Sequence, residues 1–193
     1  MALKDLVRKS RSYRRFNQSQ AISAQTLHDL VALAQYAPTG SNQQPLKFWL
    51  SNTPEMNAAI FPNLAWAGAL KDWPGPAEGE RPAAYILILG DLSIKKYFGI
   101  DPGIAAQTIM LGAAEQGLGG CMLASFKAKS LEQTLLIPEQ YEILLVLALG
   151  EPAETVVTEP LGANGSTVYY RDAADVHHVP KRSLDDLIVH DVN

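Results

Sequence analysis

The sequence predicts one α+β domain in which helices pack on both faces of a central sheet. Two apolar runs, 83–89 and 143–149, each contain seven consecutive apolar residues, the pattern of strands that are covered on both faces. Between them, an alanine-rich segment that begins at Asp101-Pro102 predicts a long, thin helix suited to close packing. With 193 residues, of which 47% are hydrophobic, the chain is long enough to enclose a core between such layers.

The first 52 residues predict two helices and a strand. Apolar side chains at i, i+3 and i+4 within 3–7 indicate a short amphipathic helix. Ser23 is the predicted N-cap of a second helix, which ends before Pro38. Alternation of apolar and polar residues from 47 to 52 then favours a strand.

The second half of the chain predicts the remaining elements. Asp101 is the expected N-cap of the long helix, and a strand is predicted at 121–125. The segment 151–193 is rich in proline, glycine and acidic residues and has no apolar run long enough to form its own core. We therefore predict a single domain, 1–193, with 151–193 as a C-terminal extension that packs on a partner subunit.

Residues 61–82 form a stretch rich in proline, glycine and tryptophan, which we interpret as a surface excursion rather than a domain linker. Trp66 and Trp73 are candidates for the wall of a substrate pocket. They are equally typical of a loop that is held down by its own aromatic side chains. The sequence leaves both interpretations open.

Composition limits the classes of partner. Twenty acidic residues against 16 basic ones give no overall field that would hold nucleic acid or an anionic membrane. The single cysteine, Cys121, excludes an internal disulfide and a cysteine-built metal site. Charged residues interrupt the N-terminal apolar positions, so we expect no signal peptide, no membrane span and a cytoplasmic location.

A concentrated basic stretch follows the first predicted helix. Residues 8–16 contain five Lys or Arg side chains in a chain whose formal net charge is -4. Ser10 and Ser12 add hydroxyls to the guanidinium groups, and this donor set binds phosphate through charge-assisted hydrogen bonds. The same pattern is also typical of a solvated turn whose cations complement the dipole of the preceding helix. Composition alone does not decide between them.

Three further stretches are candidate sites. The loop 37–45 is dense in hydroxyl and amide groups that suit a heteroaromatic ring, although a plain helix-ending loop has the same composition. The glycines of 117–120 follow a helix and precede a strand, the reverse of the dinucleotide-binding order, which excludes a Rossmann fingerprint. The pair His177-His178 lacks acidic or cysteine residues at ligand spacing, so we interpret it as a turn and predict no metal site.

Taken in order, these motifs resemble the nitroreductase family of FMN-dependent oxidoreductases over nearly the full chain. The first is Arg-Ser-Tyr-Arg-Arg-Phe at 11–16, and the second, Ala-Pro-Thr-Gly-Ser-Asn-Gln-Gln-Pro at 37–45, is similar to the family's Ala-Pro-Ser-x-x-Asn-x-Gln-Pro loop. The others are Gly-Leu-Gly-Gly-Cys at 117–121 and Pro-Lys-Arg at 180–182. The resemblance implies a three-layer α/β/α fold with a mixed, largely antiparallel central sheet and FMN at a homodimer interface.

The resemblance also implies roles for individual residues. It makes Arg11, Ser12 and Arg14 the grip on the FMN phosphate, the ribityl chain and the nearby ring edge, with Lys181 and Arg182 completing the phosphate site. The flavin would be contacted from the other subunit by a loop set, Pro38, Thr39, Gly40, Asn42 and Gln44. Ring contacts would come from Met122 and Leu123, and backbone groups near the hydride-accepting edge from Ala124 and Ser125.

The implied activity is electron transfer from NADH or NADPH through bound FMN to a small acceptor such as a nitroaromatic or a quinone, by a ping-pong mechanism. No catalytic side chain is implied, because the flavin carries the redox chemistry. Two alternatives remain open at this point. One is a flavin-fragmenting or dehalogenating enzyme of the same fold, and the other is a flavin-binding protein without turnover.

Overall fold

A computed structural model describes residues 2–190, so residue 1 and residues 191–193 of the predicted domain lie outside the described range. Within it the chain forms five α-helices and seven strands. The helices are α1 (Leu3–Lys9), α2 (Ala24–Gln35), α3 (Pro54–Ile60), α4 (Asp101–Glu115) and α5 (Ala128–Leu135). The strands are β1 (Leu46–Ser51), β2 (Ala84–Asp91), β3 (Gly119–Leu123), β4 (Tyr141–Gly150), β5 (Val156–Pro160), β6 (Tyr170–Arg171) and β7 (His177–Lys181).

The main sheet contains four strands in the order β1-β2-β4-β3, and each neighbouring pair is antiparallel. Its two central strands, β2 and β4, contain the two apolar runs that predict buried strands. Every residue of β2 is buried, because the strand has a neighbour on each side and helices above and below.

Two hydrophobic clusters show how the layers form. Side chains alternate along β2, so Ile86 and Ile88 pack with α2 and α4 on one face, whereas Tyr85 and Leu87 pack with α3 and α5 on the other. The sheet therefore lies between two helical layers, which confirms the predicted α+β fold with helices on both faces.

A second, smaller sheet is built from the C-terminal extension. Its order is β5-β7-β6, with β5 parallel and β6 antiparallel to β7. The predicted turn at His177-His178 is wrong, because both histidines lie in the central strand of this sheet. The strand is short and mostly polar, so neither apolar alternation nor length marks it in the sequence.

One other local prediction is wrong, at the start of α4, and one helix is not predicted. The N-cap of α4 is Ile100, and Asp101 is instead the first helical residue. The Asp101 residue is 3% exposed, and its carboxylate accepts hydrogen bonds from the Gly40 N–H (3.0 Å) and from Lys95 Nζ (2.9 Å). Both partners lie outside α4, so the carboxylate does not cap its own helix. The helix α3 is not predicted, although Thr53 caps it and Pro54 is its first residue.

Gly120, in β3, is a position where the backbone has no space for a side chain. A Cβ there would lie 2.5 Å from the carbonyl oxygen of Ala148 on the neighbouring strand. Since a strand carbonyl has little freedom to move, we expect Gly120→Ala to lower the free energy of unfolding by about 2 kcal/mol. Urea denaturation followed by circular dichroism measures this change.

Gly103→Ala is the matched control for that variant. A Cβ at Gly103, in the first turn of α4, meets no atom within 4 Å. Alanine in a helix is favoured over glycine, so this variant should gain about 0.5 kcal/mol. Equal stability of the two variants would contradict the assigned crowding at Gly120.

Candidate functional site

The basic stretch lies along the edge of the main sheet. Ser12 forms a parallel bridge with Gly120, and the Tyr13 N–H donates to the Gly120 carbonyl at 2.9 Å. Gly119 permits this approach, because a Cβ there would lie 2.5 Å from the Tyr13 ring. Phe16 is fully buried and fixes the end of the stretch. The backbone on both sides of Arg14 and Arg15 is therefore held in place.

A cavity of about 370 Å³ lies beside this edge, and residues from both ends of the chain line it. Among its lining residues are five that the sequence predicts as binding residues: Arg11, Ser12, Arg14, Met122 and Lys181. Met122 is 36% exposed, since alternation along β3 turns it away from the core. His177 and Tyr169 also line the cavity, and sequence reasoning did not find them.

Four arginines of the basic stretch and the C-terminal sheet fall into two groups according to their partners. Arg15 pairs with Glu80 and Asp175, and Arg171 pairs with Glu154 and Asp175. In contrast, Arg11 Nη2 donates to the backbone carbonyl of Val7 at 2.9 Å, and Arg14 Nη1 contacts the carbonyl of Ser12 at 3.4 Å. Within residues 2–190, no carboxylate forms an ion pair with the guanidinium of Arg11 or of Arg14.

Glu154 fixes the backbone of the basic stretch at Arg14 and Arg15. Its side chain is 1% exposed, and it accepts hydrogen bonds from the backbone N–H groups of Arg14 and Arg15. It also accepts from Arg171 Nη2 at 2.6 Å. One buried carboxylate thus joins the N-terminal basic stretch to the C-terminal sheet. The sequence shows Glu154 only as one acid in an acidic segment.

His177 lies directly against Arg14. It is 1% exposed, and its Nε2 is 3.2 Å from Arg14 Nη1. A guanidinium can only donate, so Nε2 is the acceptor and the ring proton is on Nδ1. Burial, together with the nearby charges of Arg14, Arg171 and His178, lowers the pKa of His177 to about 4. The ring is therefore neutral near pH 7.

The loop 37–45 lines a different cavity, of about 570 Å³, through Pro38, Thr39 and Gln44. Gly40 is held by its bond to Asp101. Three non-glycine residues of the loop, Ser41, Asn42 and Gln44, have positive φ angles, and such backbone strain is concentrated at functional sites in proteins. Within one chain, the structure does not bring this loop to the cavity that Arg11 and Arg14 line.

The other predicted site residues are placed as follows. The Leu123 side chain packs into the core with α5, whereas the Met122 side chain lines the cavity. Ala124 and Ser125 are exposed immediately after β3. Arg182 lines a separate groove beside β5 rather than the cavity.

The two tryptophans of 61–82 contact other parts of the protein. Trp66 is buried and packs against Phe61, with ring centroids 5.8 Å apart. Trp73 lies under the guanidinium of Arg171, 4.6 Å from the ring centroid. This favours the interpretation of a loop held down by its own aromatic side chains. Neither tryptophan lines either of the two cavities described above.

A sequence model of the nitroreductase family matches residues 7–151, from the basic stretch to the end of β4. The chain belongs to the nitroreductase family. It is accordingly an oxidoreductase, as the motifs predict. The C-terminal sheet lies beyond the matched residues, so His177 and Lys181 are outside the region that the family model describes.

Several known proteins are similar to this chain in sequence or in fold, and they support its membership of the family. A relative from Archaeoglobus fulgidus, with the provisional name NADH dehydrogenase/NAD(P)H nitroreductase, is 26% identical over 152 residues, which cover 75% of this chain and 82% of the relative. A nitroreductase family protein from Clostridium novyi NT has a TM-score of 0.66 at 24% identity, covering 79% of this chain and 86% of that one. An Exiguobacterium sibiricum protein, solved in complex with FMN, has a TM-score of 0.69 at 17% identity, covering 85% and 95%. At these identities the structures show the shared fold.

The described residues contain neither a metal-binding cluster nor a membrane-spanning helix. Between residues 2 and 190, no three His, Cys, Asp or Glu side chains are grouped so that they would hold a metal ion. In the same range, no helix has both the length and the apolar character needed to cross a membrane.

Proposed function

We propose that this protein is an FMN-dependent oxidoreductase that moves electrons from NADH or NADPH to a small aromatic acceptor, a nitroaromatic or a quinone, by a ping-pong mechanism. The observation that carries the proposal is the convergence of uncompensated cations on one cavity. Arg11 and Arg14 come from one end of the chain and Lys181 from the other. Cations without acidic partners favour an anionic ligand.

The residues present fit the phosphate end of FMN. Arg11 and Arg14 bring guanidinium groups without a carboxylate partner to the cavity, and Ser10 and Ser12 bring hydroxyls to it. These groups, together with Lys181, would hold the phosphate and the ribityl chain through charge-assisted hydrogen bonds. When bound, FMN supplies the redox chemistry, accepting a hydride and delivering electrons.

The remaining task of the chain is to bind and orient the reactants. Met122 offers an apolar, adaptable surface to a ring, and the exposed backbone of Ala124 and Ser125 follows it along the chain. We assign no proton transfer to a side chain, because hydride transfer to the flavin requires none and water can supply the protons that a reduced quinone or nitro group takes up. Cys121 is buried, and burial raises the pKa of its thiol, so it is not offered as a nucleophile.

We further propose that the active form is a homodimer in the cytoplasm. The strained loop 37–45, with Pro38, Thr39, Gly40, Asn42 and Gln44, would then contact the flavin bound mainly by the partner. Strands β5, β6 and β7 of the extension pair within their own chain. The extension also has exposed apolar side chains that are available to a partner, among them Val168, Leu184 and Leu187.

The test is reconstitution with FMN followed by anaerobic addition of NADH or NADPH. We expect a yellow protein, bleaching of the flavin absorbance by at least one nicotinamide, and its rapid return when a nitroaromatic or a quinone is added. Failure to bind FMN would overturn the proposed function. Binding without reduction by either nicotinamide would instead support a flavin-binding protein without turnover.

A matched pair of arginines tests the site itself. Arg11 faces the cavity, whereas Arg8 is exposed on α1, three residues earlier. Arg11→Gln should weaken FMN binding about tenfold, the effect of removing one hydrogen bond to a charged group. Arg8→Gln changes the net charge equally and should leave the dissociation constant within about twofold. Equal losses would show that only the overall charge matters.

A further inference from the structure

We propose that His177 is a positioning residue that orients the Arg14 guanidinium toward the bound anion while leaving its positive charge uncompensated. This inference rests on the proposed FMN function, since FMN supplies the anion. It assigns a role to a residue beyond the family-matched region.

Arg14 is held by uncharged groups of the C-terminal extension. Its Nη1 donates to His177 Nε2 at 3.2 Å, and its Cζ lies 4.8 Å from the centroid of the Tyr169 ring. The two rings are themselves in contact, with centroids 5.3 Å apart. They therefore restrict the guanidinium at an edge and on a face, and all three side chains line the cavity.

Arg15 and Arg171 illustrate the alternative arrangement, in which a carboxylate rather than a histidine holds the guanidinium. A carboxylate fixes an arginine as firmly as a histidine does, but it also cancels the charge, as Glu154 does for Arg171 and Asp175 for Arg15. An arginine paired in this way has little attraction left for a phosphate. A neutral imidazole accepts one hydrogen bond and leaves the remaining guanidinium donors charged and available.

The fold holds His177 firmly enough for this role. Its backbone N–H donates to the carbonyl of Thr155 at 2.9 Å, and the residue pairs with Val156 on one side and Arg171 on the other. A histidine fixed in the centre of a small sheet restricts the conformations of Arg14 before any ligand arrives. Such preorganisation strengthens binding, because less side-chain entropy is lost on association.

Two substitutions of similar size at His177 distinguish the effect of accepting a hydrogen bond from Arg14 from the effect of filling space. His177→Gln keeps an acceptor oxygen, whereas His177→Met fills a comparable volume with only a weak acceptor. Dissociation constants for FMN, measured by flavin fluorescence, should stay within about threefold of the wild-type value for glutamine. They should rise about tenfold for methionine, the effect of one lost hydrogen bond to a charged group.

An Arg14→Met background supplies the control for a structural role. If His177 acts through Arg14, His177→Met has no further effect in that background. A second tenfold loss there, or equal affinities of the glutamine and methionine variants, overturns the inference while the proposed function stands. A wild-type protein that does not bind FMN overturns the proposed function itself, so the two failures are distinguishable.

Discussion

Replacement of Glu154 with alanine is expected to lower the free energy of unfolding by about 3–5 kcal/mol, the range for breaking a buried ion pair by removing one partner. The variant leaves the guanidinium of Arg171 without its buried carboxylate and removes the acceptor of two backbone N–H groups, those of Arg14 and Arg15. Because these groups join the basic stretch to the C-terminal sheet, FMN binding should be lost as well. Urea denaturation and flavin fluorescence measure the two effects.

Glu151→Ala is the matched control, three residues earlier in the same segment. Glu151 is exposed, and its carboxylate accepts one hydrogen bond from Asn17 Nδ2 at 2.9 Å. Removing an exposed acid of this kind should cost about 0.5 kcal/mol and leave FMN affinity unchanged. If the two alanine variants are equally stable, Glu154 is not the link between the two ends of the chain.

The layers of the main sheet are predictable because their signal is local. The runs 83–89 and 143–149 must be buried wherever they lie, and a thin alanine-rich helix must pack closely. The structure confirms these elements at β2, β4 and α4. Thr53-Pro54 is also a local signal for the start of α3, although that helix is not among the predicted elements.

The second sheet has no comparable signal. Its strands are two to five residues long. The parallel partner of β7 is β5 (Val156–Pro160), which lies earlier in the chain and is separated from it by β6. Pairing between distant short strands depends on what the main sheet has already placed nearby. The sequence therefore shows His177-His178 as an isolated pair, whereas the fold turns one ring toward Arg14 and the other toward Glu159 and Asp172.

The arginines with and without carboxylate partners can be told apart only in the tertiary structure, because those partners are distant in the sequence. In the sequence, Arg11, Arg14 and Arg15 are equivalent members of one basic stretch. Their difference arises from Glu80 and Asp175, which lie far along the chain and pair only with Arg15 among these three. The motif resemblance nevertheless selected Arg11 and Arg14, the two that line the cavity.

The pH dependence of stability should show the two histidines acting in opposite directions. The pKa of His177 falls from 6.5 to about 4 on folding, chiefly through burial. The unfolded chain therefore binds more protons between these values, so stability is complete above pH 6.5 and declines as the pH falls toward 4. At 1.36 kcal/mol for each pH unit, the loss attributable to this ring is about 3 kcal/mol.

His178 has the reverse sign, because bonds to Glu159 and Asp172 raise its pKa above 6.5. Its contribution is complete below pH 6.5 and is lost as the pH rises through the folded value. Urea denaturation across the pH range separates the two, since His177→Gln should flatten the profile between 4.5 and 6.5 and His178→Gln the profile above 6.5. Carboxylates with lowered pKa values, such as those of Asp172 and Asp175, titrate below this window. An acid slope that persists in His177→Gln would show that this histidine does not carry it.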